Sequence, residues 1–127
     1  MKNQIRTAVL GLAAVIITGG VLLWATSPGM TIKRKYESYN GKVADGKHTL
    51  QEITLPVYDK IQIVTAQEAC DLQEGILVLT YPACPFCRNL MPELLEAARH
   101  TGTKLYYCEL SEYRDTYVYD RGTNAPV

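Results

Sequence analysis

Two cysteines separated by two residues, Cys84 and Cys87, are the side chains of this sequence best suited to do chemistry. They follow an apolar run at 76–81 and precede a segment whose apolar residues recur at helical spacing. A thiol at a helix N-terminus meets unpaired backbone N–H groups and the positive end of the helix dipole, and both stabilise its thiolate. The order of strand, thiol pair and helix therefore predicts a redox-active dithiol.

The two residues between the cysteines, Pro85 and Phe86, are expected to stiffen the turn and to set part of its redox poise. Proline suits the first helical position, where its missing N–H costs nothing. The helix is predicted to end near His100, with Gly102 as its C-terminal cap. Its apolar face is predicted to consist of Cys87, Leu90, Met91, Leu94, Leu95 and Ala98.

The elements that must position the pair form a βαβαβ pattern. Strands are predicted at 61–64, 76–81 and 104–110, and helices at 65–73 and 85–100. The first of these helices opens on a capping box, Thr65 to Glu68. The pattern predicts an α/β fold with a parallel sheet, right-handed crossovers and helices on both faces. The middle strand is apolar almost throughout, which is typical of a strand covered on both faces.

The N-terminal segment predicts a membrane or export signal over residues 1–30. Residues 8–25 are almost wholly apolar, and 18 residues give about 27 Å of helix, close to the ~30 Å hydrocarbon core. That length favours an uncleaved anchor, although 25–27 resembles a cleavage site and a secreted product stays open. Residues 31–57 are expected to form a juxtamembrane connector, which begins with the basic flank Lys33-Arg34-Lys35, and the domain is expected outside the cytoplasmic membrane.

Composition and cysteine count narrow the function classes. Lys plus Arg and Asp plus Glu number 13 each, so no net field points to a nucleic-acid partner. The other two cysteines, Cys70 and Cys108, are isolated and expected in the core, Cys70 on the first helix and Cys108 on the third strand. A plain stabilising disulfide or half a zinc site remains an alternative for the pair, but zinc normally needs a second closely spaced ligand pair. Neither a metal nor a cofactor is therefore predicted.

Residues 58–127 resemble the thioredoxin superfamily. The resemblance rests on the element order, on Cys84-Pro85-Phe86-Cys87, and on Pro92, because thioredoxins have a helix-kinking proline five residues beyond the second cysteine. The wording of residues 81–89 looks like membrane-anchored thioredoxin-like proteins of Gram-positive bacteria. A Cys-Pro-aromatic-Cys run is also similar to glutaredoxins, but those usually lack the strand and helix at 61–73.

The resemblance implies a thiol–disulfide oxidoreductase. Cys84 would be the nucleophile and Cys87 the resolving thiol, which attacks the mixed disulfide formed at Cys84. The implied substrates are extracytoplasmic protein thiols or disulfides, with a membrane protein as a possible redox partner. Direction and substrate identity do not follow from the resemblance.

The chain departs from the thioredoxin pattern in three ways. Ala83 replaces the usual tryptophan, and Val78 stands where thioredoxins keep a buried carboxylate. Pro126 stands about where a cis-proline loop is due, so the C-terminal hairpin and helix are expected to be missing. The departures leave open a second class of function, a non-catalytic thioredoxin-like module that binds a metal or a membrane partner.

Overall fold

The computed structural model describes residues 2–44, 48–114, 119–120 and 125–126. The helices are α1 Lys2–Ala25, α2 Pro28–Glu37, α3 Ala66–Cys70, α4 Pro85–Thr101 and α5 Ser111–Arg114. The strands are β1 Val43–Ala44, β2 His48–Thr49, β3 Ile61–Ile63, β4 Ile76–Thr80, β5 Leu105–Glu109, β6 Tyr119–Asp120 and β7 Ala125–Pro126.

The central sheet is a three-stranded parallel sheet with the order β3-β5-β4. The βαβαβ pattern predicted from the sequence is confirmed at this level. From β3 the chain passes over one strand position to β4, and it then returns in the opposite direction to β5, which lies between them. Since such crossovers are right-handed, α3 and α4 belong on opposite faces. The thiol motif follows the carboxyl end of β4, an edge strand among those described.

The core lies on the α4 face of the sheet. Its members from the sheet and α4 are Ile61, Val78, Leu105, Tyr107, Met91, Leu95 and Ala98. The buried stripe of α4 starts at Arg88 instead of Cys87, and Leu90 is exposed. The buried face of α4 is therefore offset by about one residue from the predicted apolar face. In the first turn, the buried side chain is that of Arg88 and not that of Cys87.

Helix α2 is part of the domain. The Ser27 side chain accepts a hydrogen bond from the Met30 N–H, and Pro28 occupies the first turn, so α2 begins immediately after α1. Ile32 and Tyr36, one turn apart, are buried in the core. Gly29 allows close contact, since a Cβ there would lie 2.4 Å from the carbonyl oxygen of Tyr58.

Residues 31–57 are expected to form a juxtamembrane connector, and the described part of this segment contributes several side chains to the core. Leu50, Ile53 and Leu55 are buried beside α2. The basic flank is engaged as well: Lys33 pairs with Glu37 at 2.5 Å and donates to the carbonyl of Leu55. Lys35 forms an ion pair with Glu109, and Arg34 donates a hydrogen bond to the Ala25 carbonyl. The contacts of Lys33 with Leu55 and of Lys35 with Glu109 join α2 to the domain, whereas Arg34 donates back to the end of α1.

The prediction that β4 is covered on both faces is wrong. Val78 and Thr80 are buried towards α4, whereas Leu77 and Leu79 on the opposite face are exposed. Helix α3 has only five residues and none is buried, so it leaves that part of the sheet open. Its capping box is confirmed, with the Glu68 N–H donating to Thr65 and the Thr65 N–H to the Glu68 carboxylate.

Helix α1 contains one segment, Ala8–Ala25, that is long and apolar enough to cross a membrane, with a mean hydropathy of 2.3. A signal sequence near an N-terminus meets the same criterion. The apolar N-terminal helix predicted from the sequence is thus confirmed as a helix, while its insertion remains a prediction.

The C-terminal strands form a separate two-stranded ladder. Tyr119 pairs with Pro126 and Asp120 with Ala125, in antiparallel register. Pro126, expected in a cis-proline loop, lies in this ladder with a trans peptide bond. The ladder is not hydrogen-bonded to the central sheet among the described residues.

Candidate active site at the start of helix α4

The thiol pair is built by the N-terminus of α4. Cys84 is the N-cap residue, with extended backbone angles (φ −77°, ψ 117°), and Pro85 opens the helix. The Cys87 N–H donates to the Cys84 sulfur at 3.2 Å. The two sulfurs lie within disulfide-bonding distance and the Cα atoms are 5.2 Å apart, inside the range that a disulfide spans. The predicted position of the pair is confirmed.

The pair is open to approach from one side. Both cysteines are half-buried, Pro85 is exposed, and 86% of Phe86 is accessible to solvent. A sulfur at the N-cap also faces the helix N–H groups, which stabilise negative charge there. The arrangement can therefore support a reactive thiolate at Cys84 and a disulfide with Cys87.

Pro92 lies inside α4, as its spacing from Cys87 predicts. It has no N–H to donate to the carbonyl of Arg88, four residues earlier, so one bond of the helical ladder is missing there. The helix nevertheless continues to Thr101 and ends on Gly102, whose φ of +68° is left-handed. The predicted C-terminal cap is therefore confirmed.

Arg88, directly after the pair, is a residue that sequence reasoning missed. Its side chain is fully buried (0% exposed). It donates to the backbone carbonyls of Tyr36 at 2.8 Å, Pro82 at 3.1 Å and Gln51 at 2.7 Å, and to the side-chain oxygen of Asn40. Arg88 thus joins Tyr36, Asn40 and Gln51 to the loop that carries the motif. Burial lowers the pKa of the guanidinium.

Two buried tyrosines lie below the motif. The hydroxyls of Tyr36 and Thr80 are hydrogen-bonded at 2.6 Å. Burial raises the pKa of Tyr36 to about 12, and burial also raises the pKa of Tyr107. Both phenols are therefore neutral near pH 7 and carry no charge that could offset that of Arg88.

A groove runs beside the motif. Residues 48–51 line one side and Pro85, Arg88 and Asn89 line the other, enclosing about 240 Å³. The groove therefore lies between the β2 segment and the first turn of α4, next to Pro85. Its lining is mostly apolar, with a few polar groups.

The other two cysteines differ from each other. Cys108 is buried on β5, as predicted, and burial raises the pKa of its thiol. Cys70 is exposed at the end of α3, so its predicted core location is wrong. The physical reason is the shortness of α3, which ends before it can bury a face. Within the described ranges, no three His, Cys, Asp or Glu side chains converge as metal ligands do.

Comparison with known proteins adds no further constraint. No family model, no curated protein and no solved structure matches this chain. The geometry at the start of α4 is therefore the basis for any functional assignment.

Proposed function

We propose that this protein is a membrane-tethered thiol–disulfide oxidoreductase that acts through Cys84 and Cys87. The observation that carries the proposal is the pair of sulfurs within disulfide-bonding distance at the N-terminus of α4, directly after a parallel strand. The thioredoxin-like pattern of residues 58–127 supports the same assignment. The accessible Phe86 and the adjoining groove leave room for a polypeptide substrate.

The reaction follows from the chemistry of the two thiols. The Cys84 thiolate attacks a substrate disulfide, forms a mixed disulfide, and releases one substrate sulfur as a thiolate that takes a proton. The Cys87 thiolate then attacks the Cys84 sulfur. This step breaks the mixed disulfide, releases the second substrate thiol, and leaves the Cys84–Cys87 disulfide. The substrate gains two electrons and the enzyme loses two; the reverse sequence oxidises a substrate dithiol, and a second dithiol–disulfide couple restores the enzyme.

The reduction potential of the pair tests this proposal. The full chain in detergent micelles is equilibrated in glutathione buffers, and the thiols of Cys84 and Cys87 are counted by alkylation and mass spectrometry. We expect a potential between about −270 and −120 mV, the range of thiol–disulfide oxidoreductases. A pair that never closes in oxidised glutathione, or a disulfide with a potential below about −300 mV as in structural disulfides, would contradict an exchange function.

The location is proposed to be the outer side of the cytoplasmic membrane, with residues 8–25 as the anchor. A basic start followed by an apolar segment usually delivers the following chain outward. The helix that begins at Pro28 follows α1 almost directly, so the domain would lie close to the membrane surface. Substrates would then be exported proteins, or a membrane protein that supplies or removes electrons.

Exposed Cys70 provides a test of this location. In a Cys84→Ser/Cys87→Ser background, a membrane-impermeant maleimide is expected to label Cys70 in intact cells, because its side chain is exposed, whereas buried Cys108 should react only after unfolding. The additional substitution Cys70→Ser is the matched control and should remove the label. Labelling of Cys70 that appears only after lysis would place the domain in the cytoplasm.

A further inference from the structure

The guanidinium of Arg88 is a buried charge, and none of the described acidic side chains pairs with it. Its hydrogen bonds go to backbone carbonyls and to the amide oxygen of Asn40, all of them neutral. Buried charges are normally paired, because an unpaired charge away from water is costly. Among the described residues, the guanidinium is instead held by neutral oxygens alone.

The titratable groups around Arg88 do not compensate its charge. The Tyr36 phenol, with a pKa of about 12, is neutral near pH 7. Glu109, which lies near Tyr36, pairs with Lys35 at 2.5 Å. His48 lines the groove from the opposite side and is exposed to solvent. The positive charge of Arg88 is consequently balanced by none of the described side chains that surround it.

The position of this charge relates it directly to the thiol pair. Arg88 lies one helical turn after Cys84, to whose carbonyl its backbone N–H donates at 3.0 Å, and its guanidinium donates at 3.1 Å to the carbonyl of Pro82, two residues before Cys84. The charge is therefore fixed to the loop and helix turn that carry both sulfurs. Because it is shielded from water, its field on those sulfurs is screened less than the field of an exposed charge.

We propose that Arg88 is a positioning residue that acts through Cys84: its buried positive charge, which no described carboxylate neutralises, stabilises the thiolate form of the reduced Cys84–Cys87 pair. The inference rests on the proposed function, since it assigns a source for the reactivity of the pair. Stabilising the thiolate stabilises the reduced state, so Arg88 makes the pair a stronger oxidant. The amides at the start of α4 add to this effect, but Arg88 supplies a full charge.

The test measures the rate of Cys84 alkylation as a function of pH in three reduced full-length proteins: the parent, the Arg88→Met variant and the Arg88→Lys variant. An interaction of about 1.4 kcal/mol between a buried unit charge and a thiolate corresponds to one pKa unit and changes the proton-binding constant about tenfold. We therefore expect the thiolate–thiol equilibrium constant of Cys84 to fall about tenfold in Arg88→Met and to stay near the parent value in Arg88→Lys. Arg99→Met, at the exposed far end of α4, is the charge-matched control.

A second variant keeps the test decisive if Arg88→Met does not fold. Asn40→Asp places a carboxylate against the guanidinium and retains the oxygen that accepts from Arg88 and from the Ile53 N–H. It should lower the same equilibrium constant. Thr49→Asp adds a carboxylate on the exposed wall of the groove and should have a smaller effect.

Two outcomes separate this inference from the proposed function. An unchanged alkylation profile in folded Arg88→Met, or in folded Asn40→Asp, overturns the role of Arg88 while leaving the exchange activity of the pair intact. A pair that does not cycle between dithiol and disulfide overturns the proposed function, whatever the alkylation profile of Cys84 is. A role of Arg88 in folding alone predicts lower melting temperatures for both Arg88 variants with no shift in the Cys84 profile.

Discussion

Replacing Cys87 by serine is expected to trap covalent complexes with substrate proteins, whereas replacing Cys84 by serine should give none. In Cys87→Ser the nucleophile at the N-cap still attacks a substrate disulfide, but the thiol that resolves the mixed disulfide is absent. In Cys84→Ser the first attack is lost. The steady-state rate of thiol–disulfide exchange should fall at least about a thousandfold in both variants, as expected when a covalent step is removed.

The two variants are compared on non-reducing gels after acid quenching of membranes, with adducts released by dithiothreitol. Cys70→Ser is the matched control, because this exposed thiol could form adducts that have nothing to do with turnover. Adducts should persist in the Cys70→Ser/Cys87→Ser double variant. Adducts in Cys84→Ser but not in Cys87→Ser would reverse the assigned roles, and their absence from both would remove the exchange mechanism.

The placement of the thiol pair could be predicted from the sequence because it depends on neighbouring residues. An N-cap cysteine, a proline at the first helical position and a glycine after the last turn define α4 within about 20 residues of chain. The capping box at Thr65 is equally local. Such features depend on neighbouring residues and not on what the helix packs against. The order of strands and helices around the motif could be predicted for the same reason.

The surroundings of Arg88 could not be predicted in this way. Apart from the Pro82 carbonyl, its acceptors lie 37 to 52 residues earlier in the chain, and an arginine next to a surface motif gives no sign that it will be buried. The carbonyls of Tyr36 and Gln51 become available only because these two parts of the chain pack against the first turn of α4. The relevant information is therefore the tertiary path of a segment whose sequence is polar and irregular.

The same cause explains the error over β4. A continuous apolar run is compatible with cover on two faces or with one open face, and the choice depends on how long the neighbouring helix is. Helix α3 ends at Cys70 after five residues. Leu77 and Leu79 consequently stay exposed, and Cys70 does too.

A truncated chain that begins at residue 27 is expected to keep a cooperative fold, whereas one that begins at residue 38 should lose it. The longer fragment, 27–127, omits the apolar helix but retains α2 and its Ser27 cap. The shorter one lacks Met30, Ile32 and Tyr36, which are all buried. At about 1.5–3 kcal/mol for each fully buried apolar side chain, the loss is about 5–9 kcal/mol.

That loss is comparable with the whole stability of an ordinary domain, about 5–15 kcal/mol. The shorter fragment also lacks the Tyr36 carbonyl that accepts from Arg88 and the hydroxyl that bonds Thr80, so a buried cation and a buried hydroxyl each lose a partner. Thermal unfolding followed by circular dichroism, with amide NMR dispersion as a check on packing, measures the difference between the fragments.

A point substitution in the longer fragment separates packing from chain length. Ile32→Ala should destabilise 27–127 by about 2–5 kcal/mol, as for other buried isoleucines, whereas Thr31→Ala, at the exposed neighbouring position, should change it by less than about 1 kcal/mol. Equal unfolding midpoints for 27–127 and 38–127 would show that α2 is not needed for the core. The residues next to the apolar helix would then be a connector after all, and Arg88 would have to find other acceptors.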